Sequence, residues 1–209
     1  MFKLRKSCAI GCLGTSLLFV VGIIQLRKII VPIVIEHDQC SELAGKAFQG
    51  DLQGAKIALQ NHGNKPCKGE FSSLIAAVTG KNNAVVKLFL DHNADPNEQD
   101  MSWPITPITI AVEDNNIEAL KLFALHGANW KFKDRTNETI LDRAALNGST
   151  ETIKYLLTLP ELRDIKMIDG ALDWIEYERP RWPKYEPDKY TKVIKLLKQT
   201  KIQIEHRKK

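Results

Sequence analysis

Related text recurs along this chain at a spacing that leaves few folds open. Copies begin near Ser41, Ser72, Thr106 and Thr139, which are 31, 34 and 33 residues apart. Ser72-Ser73-Leu74-Ile75-Ala76-Ala77 aligns with Thr106-Pro107-Ile108-Thr109-Ile110-Ala111. Ala84-Val85-Val86-Lys87-Leu88-Phe89 aligns with Glu118-Ala119-Leu120-Lys121-Leu122-Phe123, and Asn93-Ala94-Asp95 with Gly127-Ala128-Asn129. Thr139 to Ala144 opens a further copy whose second helix is Glu151 to Leu157, and a more degenerate copy carries Ala55 to Leu59. Each unit reads as helix, tight turn, helix, turn. A unit of this size has too little apolar surface to hold itself together, so neighbours must stack to make one continuous core. Pro107 suits the first turn of a helix, where an amide has no intrahelical acceptor. Ala77, Ala111 and Ala144 let paired helices approach closely. Val86, Phe89 and Leu90 are spaced three and four apart on a second helix, as are Leu120, Phe123 and Ala124. A non-repetitive helical bundle is the competing fold.

The period and the Thr106-Pro107-Ile108-Thr109-x-Ala111 opening resemble the ankyrin repeat, whose signature is Thr-Pro-Leu-His-x-Ala on a period near 33. The opening departs by Ile for Leu and Thr for His, while Ser72 to Ile75 and Thr139 to Asp142 keep less of it. The resemblance implies an all-α repeat solenoid with short β-hairpin-like connections over residues 38–209, with about five repeats and an insertion at 178–187. Gly170 to Ile175 reads as the fifth first helix and Lys192 to Leu197 as its companion.

In this family, partners usually bind the hairpin tips and the exposed side of each first helix. That implication makes Glu98, Asp100, Met101, Trp103, Ile110, Glu113, Asp114, Lys133, Arg135 and Arg143 candidate protein-binding residues. Trp103 could instead pack across neighbouring hairpins, and Trp130 occupies a position more in keeping with the core. In the proline-stiffened insertion, Trp182 and Tyr185 could contact a partner or seal the open face of the last repeat. In the same register Cys40 falls just before the first inner helix and Cys67 in the hairpin one repeat along. Their segments are close enough for a disulfide, and an exported location would permit one. Two unrelated thiols are the alternative.

Ahead of the repeats, Cys8 to Leu26 is uncharged and mostly apolar. Nineteen residues at about 1.5 Å each approach the ~30 Å hydrocarbon thickness. Residues 8–28 are therefore expected to form a transmembrane anchor, with 1–7 as a basic flank and 29–37 as a linker broken by Pro32. A cleaved signal peptide or a buried helix would leave similar text. Lys3, Arg5 and Lys6 precede the run while Arg27 and Lys28 follow it, a bias towards a cytoplasmic amino terminus and an exported domain. These five account for the formal charge of +5, because the remaining 25 basic residues equal the 25 acidic ones. The repeat region is neutral overall, which argues against nucleic-acid binding.

No reaction centre assembles from the text. There is no glycine-rich phosphate loop, no metal-spaced Cys/His cluster, and no nucleophile with an oriented base. His92 and His126 share one repeat position and His62 lies within one residue of it, so phasing accounts for them better than metal binding. The expected protein is not an enzyme and needs no cofactor. It is read as a membrane-tethered protein–protein interaction module, with the bilayer reached through residues 8–28 and the carboxy-terminal domain in a bacterial periplasm. It would be a monomer without its partner. Inhibition of a toxin or cell-wall enzyme, as an envelope inhibitor or immunity protein, is the concrete role the resemblance suggests. A non-inhibitory scaffold is the alternative.

Overall fold

The computed structural model describes residues 39–69, 72–99, 105–133, 137–178 and 187–207, and over them the helices come in pairs. The pairs are α1 (39–49) with α2 (Leu52–Asn61), α3 (Ser73–Thr79) with α4 (Asn83–Asp91), and α5 (Pro107–Glu113) with α6 (Ile117–Leu125). They continue with α7 (Ile140–Leu146) and α8 (Thr150–Leu156), then α9 (Ile165–Glu178) and α10 (Pro187–Arg207).

Local chemistry starts most of these helices. Ser72, Thr106 and Thr139 cap the first helices of their repeats by accepting the amides of Ile75, Thr109 and Asp142. Asn82 and Asn116 do the same for the second helices α4 and α6. Such a cap satisfies an amide that the helix leaves without an intrahelical partner. The tight turn inside each of these units needs one left-handed residue, and Gly50, Lys81, Asn115 and Gly148 all have positive φ there. Those four positions are again 31, 34 and 33 apart. The chain reverses at the same point of each unit, which places consecutive helix pairs alike.

Stacking then does what a single pair cannot. First helices form one row, with α3 on α5, α5 on α7 and α7 on α9, while α2, α4 and α6 form the second row. One apolar core runs from Leu43 to Ile204. Ala47, Ala77, Ala111 and Ala144 are fully buried, as close helix approach requires, and so are Phe89 and Phe123. Ala124 is exposed, unlike its counterpart Leu90, and α6 turns Ala119 inward. Side-chain amides stitch neighbouring units: Asn82 Nδ2 donates to the Gly50 carbonyl at 3.0 Å, and Asn147 Nδ2 to the Glu113 carbonyl at 2.8 Å. At the far end α10 lies on α8 and α9, burying Val193, Leu197 and Ile204, and Tyr190 donates its hydroxyl to the Leu146 carbonyl at 2.9 Å.

Three expectations need correction. Over the described residues the connections are not β-hairpins: they contain no strand, and their pairing is one isolated antiparallel bridge between Lys133 and Thr139, inside the single connection from α6 to α7. The last first helix does not begin at Gly170. It begins at Ile165, because Asp164 Oδ1 accepts the amide of Lys166 at 2.7 Å and nothing helix-breaking intervenes. Finally, no helix among the described residues is long and apolar enough to cross a membrane. The span expected at 8–28 lies outside the described residues, as do the flank 1–7 and the linker 29–37. With no transmembrane helix found among the described residues, the membrane-anchored form, the bilayer as a partner and the periplasmic location are withdrawn.

Candidate docking face

The first helices turn one side to each other and the opposite side outward, so the outward residues are candidates for contact. Ile110 is half-buried on α5 and packs against the core. Among the described residues, the charged candidates on the first helices pair with opposite charges across the repeats. Arg143 Nη1 donates to Glu113 Oε1 at 2.9 Å across the α5–α7 step, and its Nε lies 3.5 Å from Glu138. Lys81 lies 2.7 Å from Asp114 across the preceding step. Opposite charges one repeat apart thus meet within the stack. Pairs this exposed contribute about 0–1 kcal/mol each, so they orient side chains more than they stabilise the fold. Lys133 Nζ donates to Asn137 Oδ1 at 3.2 Å. Asp100, Met101, Trp103, Arg135, Trp182 and Tyr185 lie outside the described residues.

Glu98 is not a free surface carboxylate. Its Oε1 accepts the hydroxyl of Ser72, the cap of α3. Burial raises its carboxyl from 4.5 to about 7, against the lowering effect of the Ser72 bond and of Lys68. A raised carboxyl binds more protons folded than unfolded, so stability must fall as pH rises between those values. The contribution is fully present below pH 4.5 and is lost as pH passes about 7. The urea midpoint should therefore drop between pH 5 and pH 8, and Glu98→Gln should flatten that drop.

The sequence reading missed one concavity here. A groove of about 970 Å³ opens between the connection 131–139 and the early turns of α9. Met167, Gly170 and Trp174, spaced three and four apart on one side of α9, line it together with Lys131 and Lys133 from one side and Glu161 and Asp164 from the other. A second groove of about 750 Å³ holds Glu113, Glu138, Arg143, Leu146 and Asn147, so α7 borders both. The spacing of Met167, Gly170 and Trp174 was readable, but it became a signal only once α9 was known to begin at Ile165.

Cys40 and Cys67 are joined by a disulfide with Cα atoms 5.6 Å apart. The sequence reading also missed what stands beside it, the His62 ring, 3.7 Å from both sulfurs. The hydroxyl–carboxylate contacts Ser72–Glu98 and Thr139–Asp142 both involve a hydroxyl that caps a first helix, and in the second the carboxylate completes the cap.

A stack of capped helix pairs with an open inner face defines the class: an ankyrin-like all-α repeat solenoid. Comparison with known proteins agrees, since residues 73–167 match the family model described as ankyrin repeats (3 copies). The chain is also similar to a fowlpox virus (strain NVSL) protein named for ankyrin repeats, at 29% identity over 128 residues. That match covers 60% of this chain and 29% of the relative, so the chain spans under a third of the relative's length. Ankyrin-repeat proteins are typically non-catalytic scaffolds, which agrees with the expectation of no enzymatic activity.

Proposed function

We propose that this chain is a protein-interaction module whose docking surface is the groove between the connection 131–139 and α9. The observation that carries the reading is the placement of Trp174 and Met167 in an open concavity rimmed by both signs of charge. Large apolar side chains in a recess provide anchors, and a mixed rim selects and orients a partner of complementary charge. Inhibition of an envelope toxin or cell-wall enzyme, a role suggested by the resemblance, is not retained, because its envelope setting depended on the membrane tether. By sequence position, Glu98, Asp100, Met101, Trp103, Lys133 and Arg135 remain proposed contacts in the connections between repeats, Ile110, Glu113, Asp114 and Arg143 on the first helices, and Trp182 and Tyr185 in the insertion. The outer lysines Lys56, Lys87, Lys121 and Lys154 are all exposed and take no part.

Quantitative affinity capture with the full chain tests this. Trp174→Ala should weaken retention of the specific partner by about 30-fold, equivalent to a hot spot of about 2 kcal/mol. Lys131→Glu with Lys133→Glu should mainly slow association and change its salt dependence. Lys87→Glu with Lys121→Glu, on the outer helices, should leave binding intact. A partner retained equally by the groove variants and lost on the outer-helix variants would place the site elsewhere.

A further inference from the structure

Cys40, His62 and Cys67 converge at the amino-terminal end of the described stack, with one ligand atom from each within 4.8 Å of the others. They come from three places: α1, the C-cap of α2 and the connection leading to α3. His62 Nε2 stands 3.7 Å from Cys40 Sγ and 3.7 Å from Cys67 Sγ. On a tetrahedral zinc ion, with sulfur at about 2.3 Å and nitrogen at about 2.0 Å, two such ligands lie about 3.6 Å apart. The imidazole nitrogen is already spaced from both sulfurs as a co-ligand would be.

The other ring nitrogen supplies an independent observation. Nδ1 lies 2.6 Å from the Lys65 carbonyl oxygen. A carbonyl only accepts, so this bond assigns the proton to Nδ1 and leaves the lone pair of the neutral ring on Nε2. Histidines that bind metals are held in this way, through the second nitrogen, by a backbone carbonyl or carboxylate. Cys67 Sγ is also 3.7 Å from Nδ1, but the proton there leaves Nε2 as the ligating atom. His92 and His126 occupy the same C-cap position in later repeats. Among the described residues only His62 has two cysteines beside it.

We propose that, once the Cys40–Cys67 disulfide is reduced, Cys40, His62 and Cys67 bind one zinc ion. A dithiol reductant breaks the S–S bond by giving two electrons and two protons; it becomes a disulfide itself and leaves two thiols on the chain. Zn(II) then displaces the two thiol protons and accepts the His62 lone pair, while the sulfurs part to about 3.8 Å. Cys40 and His62 are only half-buried, so a water can reach the fourth position. Disulfide and zinc site are alternative ties across the same 27-residue separation. Either one pins α1 to the beginning of the stack, where a terminal unit has a neighbour on one side alone.

The test uses the full chain carrying Cys8→Ser and Cys12→Ser, which removes the two other cysteines of the sequence. After reduction with a phosphine, it should bind one Co(II) with a thiolate-to-cobalt charge-transfer band, and Zn(II) should displace it. Zinc should raise the thermal midpoint of the reduced chain, and the oxidised chain should take up no metal. His62→Ala, which removes a ligand outright, should weaken zinc binding by at least the roughly 10–100-fold that loss of an outer-shell partner costs, while its helical circular dichroism is kept. Absence of the charge-transfer band, or an affinity unmoved by His62→Ala, overturns the proposal. If His62→Ala does not fold, the reduced parent decides, because a thermal midpoint indifferent to zinc also overturns it.

Discussion

Phe123→Ala is expected to lower the stability of the repeat domain by about 4 kcal/mol, a large part of the 5–15 kcal/mol typical of a domain. Phe123 is fully buried on α6, and its repeat counterpart Phe89 is fully buried on α4, which packs directly against α6. The substitution removes a ring from a close-packed site and leaves a void that the neighbouring helices fill only in part. Its position in the stack adds to the cost. In a solenoid, stability is a sum of weak individual units and of the interfaces between neighbours. A cavity in α6 loosens its contacts with α4 and α5 together. Leu125→Ala, on the same helix but 80% exposed, should change stability by no more than about 0.5 kcal/mol. Urea unfolding followed by circular dichroism separates the two, and equal losses would contradict the assignment of the α6 core face.

Opening the Cys40–Cys67 bridge is expected to remove about 3 kcal/mol under oxidising, metal-free conditions. In the chain-entropy account, the benefit grows with the length of the loop that the cross-link closes, from about 3 kcal/mol for a loop of roughly 15 residues to about 4.7 kcal/mol for roughly 100, and 27 residues of separation lie near the lower end. The loss should concentrate at one end. Cys40 lies on α1, the first described helix, and Cys67 leads into α3, so the bridge joins the terminal unit to the start of the next. Hydrogen exchange of Cys40→Ser with Cys67→Ser should show α1 and α2 opening first, with α5 to α8 still protected. Uniform loss of protection from α1 to α10 would mean that the stack melts as one unit and that the bridge has no local role. This measurement is distinct from the zinc titration, in which both cysteines are retained and reduced.

Much of the architecture was legible in the chain because it repeats locally. A 31, 34 and 33 residue spacing set the number and order of units, and the left-handed turn residues Gly50, Lys81, Asn115 and Gly148 keep the same spacing. Ser72, Thr106 and Thr139 were readable as the starts of first helices, and they cap them through contacts three residues away. Alternating small and large apolar positions marked Ala77, Ala111, Ala144, Phe89 and Phe123 for the core, where all five are fully buried. These properties depend on neighbours within a turn or two, so a linear text contains them.

Only the tertiary structure decided which distant side chains meet. Glu113 and Arg143 stand 30 residues apart in the chain, yet the step from α5 to α7 pairs them, as the preceding step pairs Asp114 with Lys81. Asp164 moved the start of α9 ahead of the repeat register and so brought Met167, Gly170 and Trp174 into one groove. His62 looked like one of three phased histidines until the fold set it beside Cys40 and Cys67. Sequence determined the unit and its period, because each helix pair is built from short-range caps, turns and apolar spacing. The offset between stacked pairs decided the contacts, because it is set by how whole helix faces interlock and no single segment encodes it.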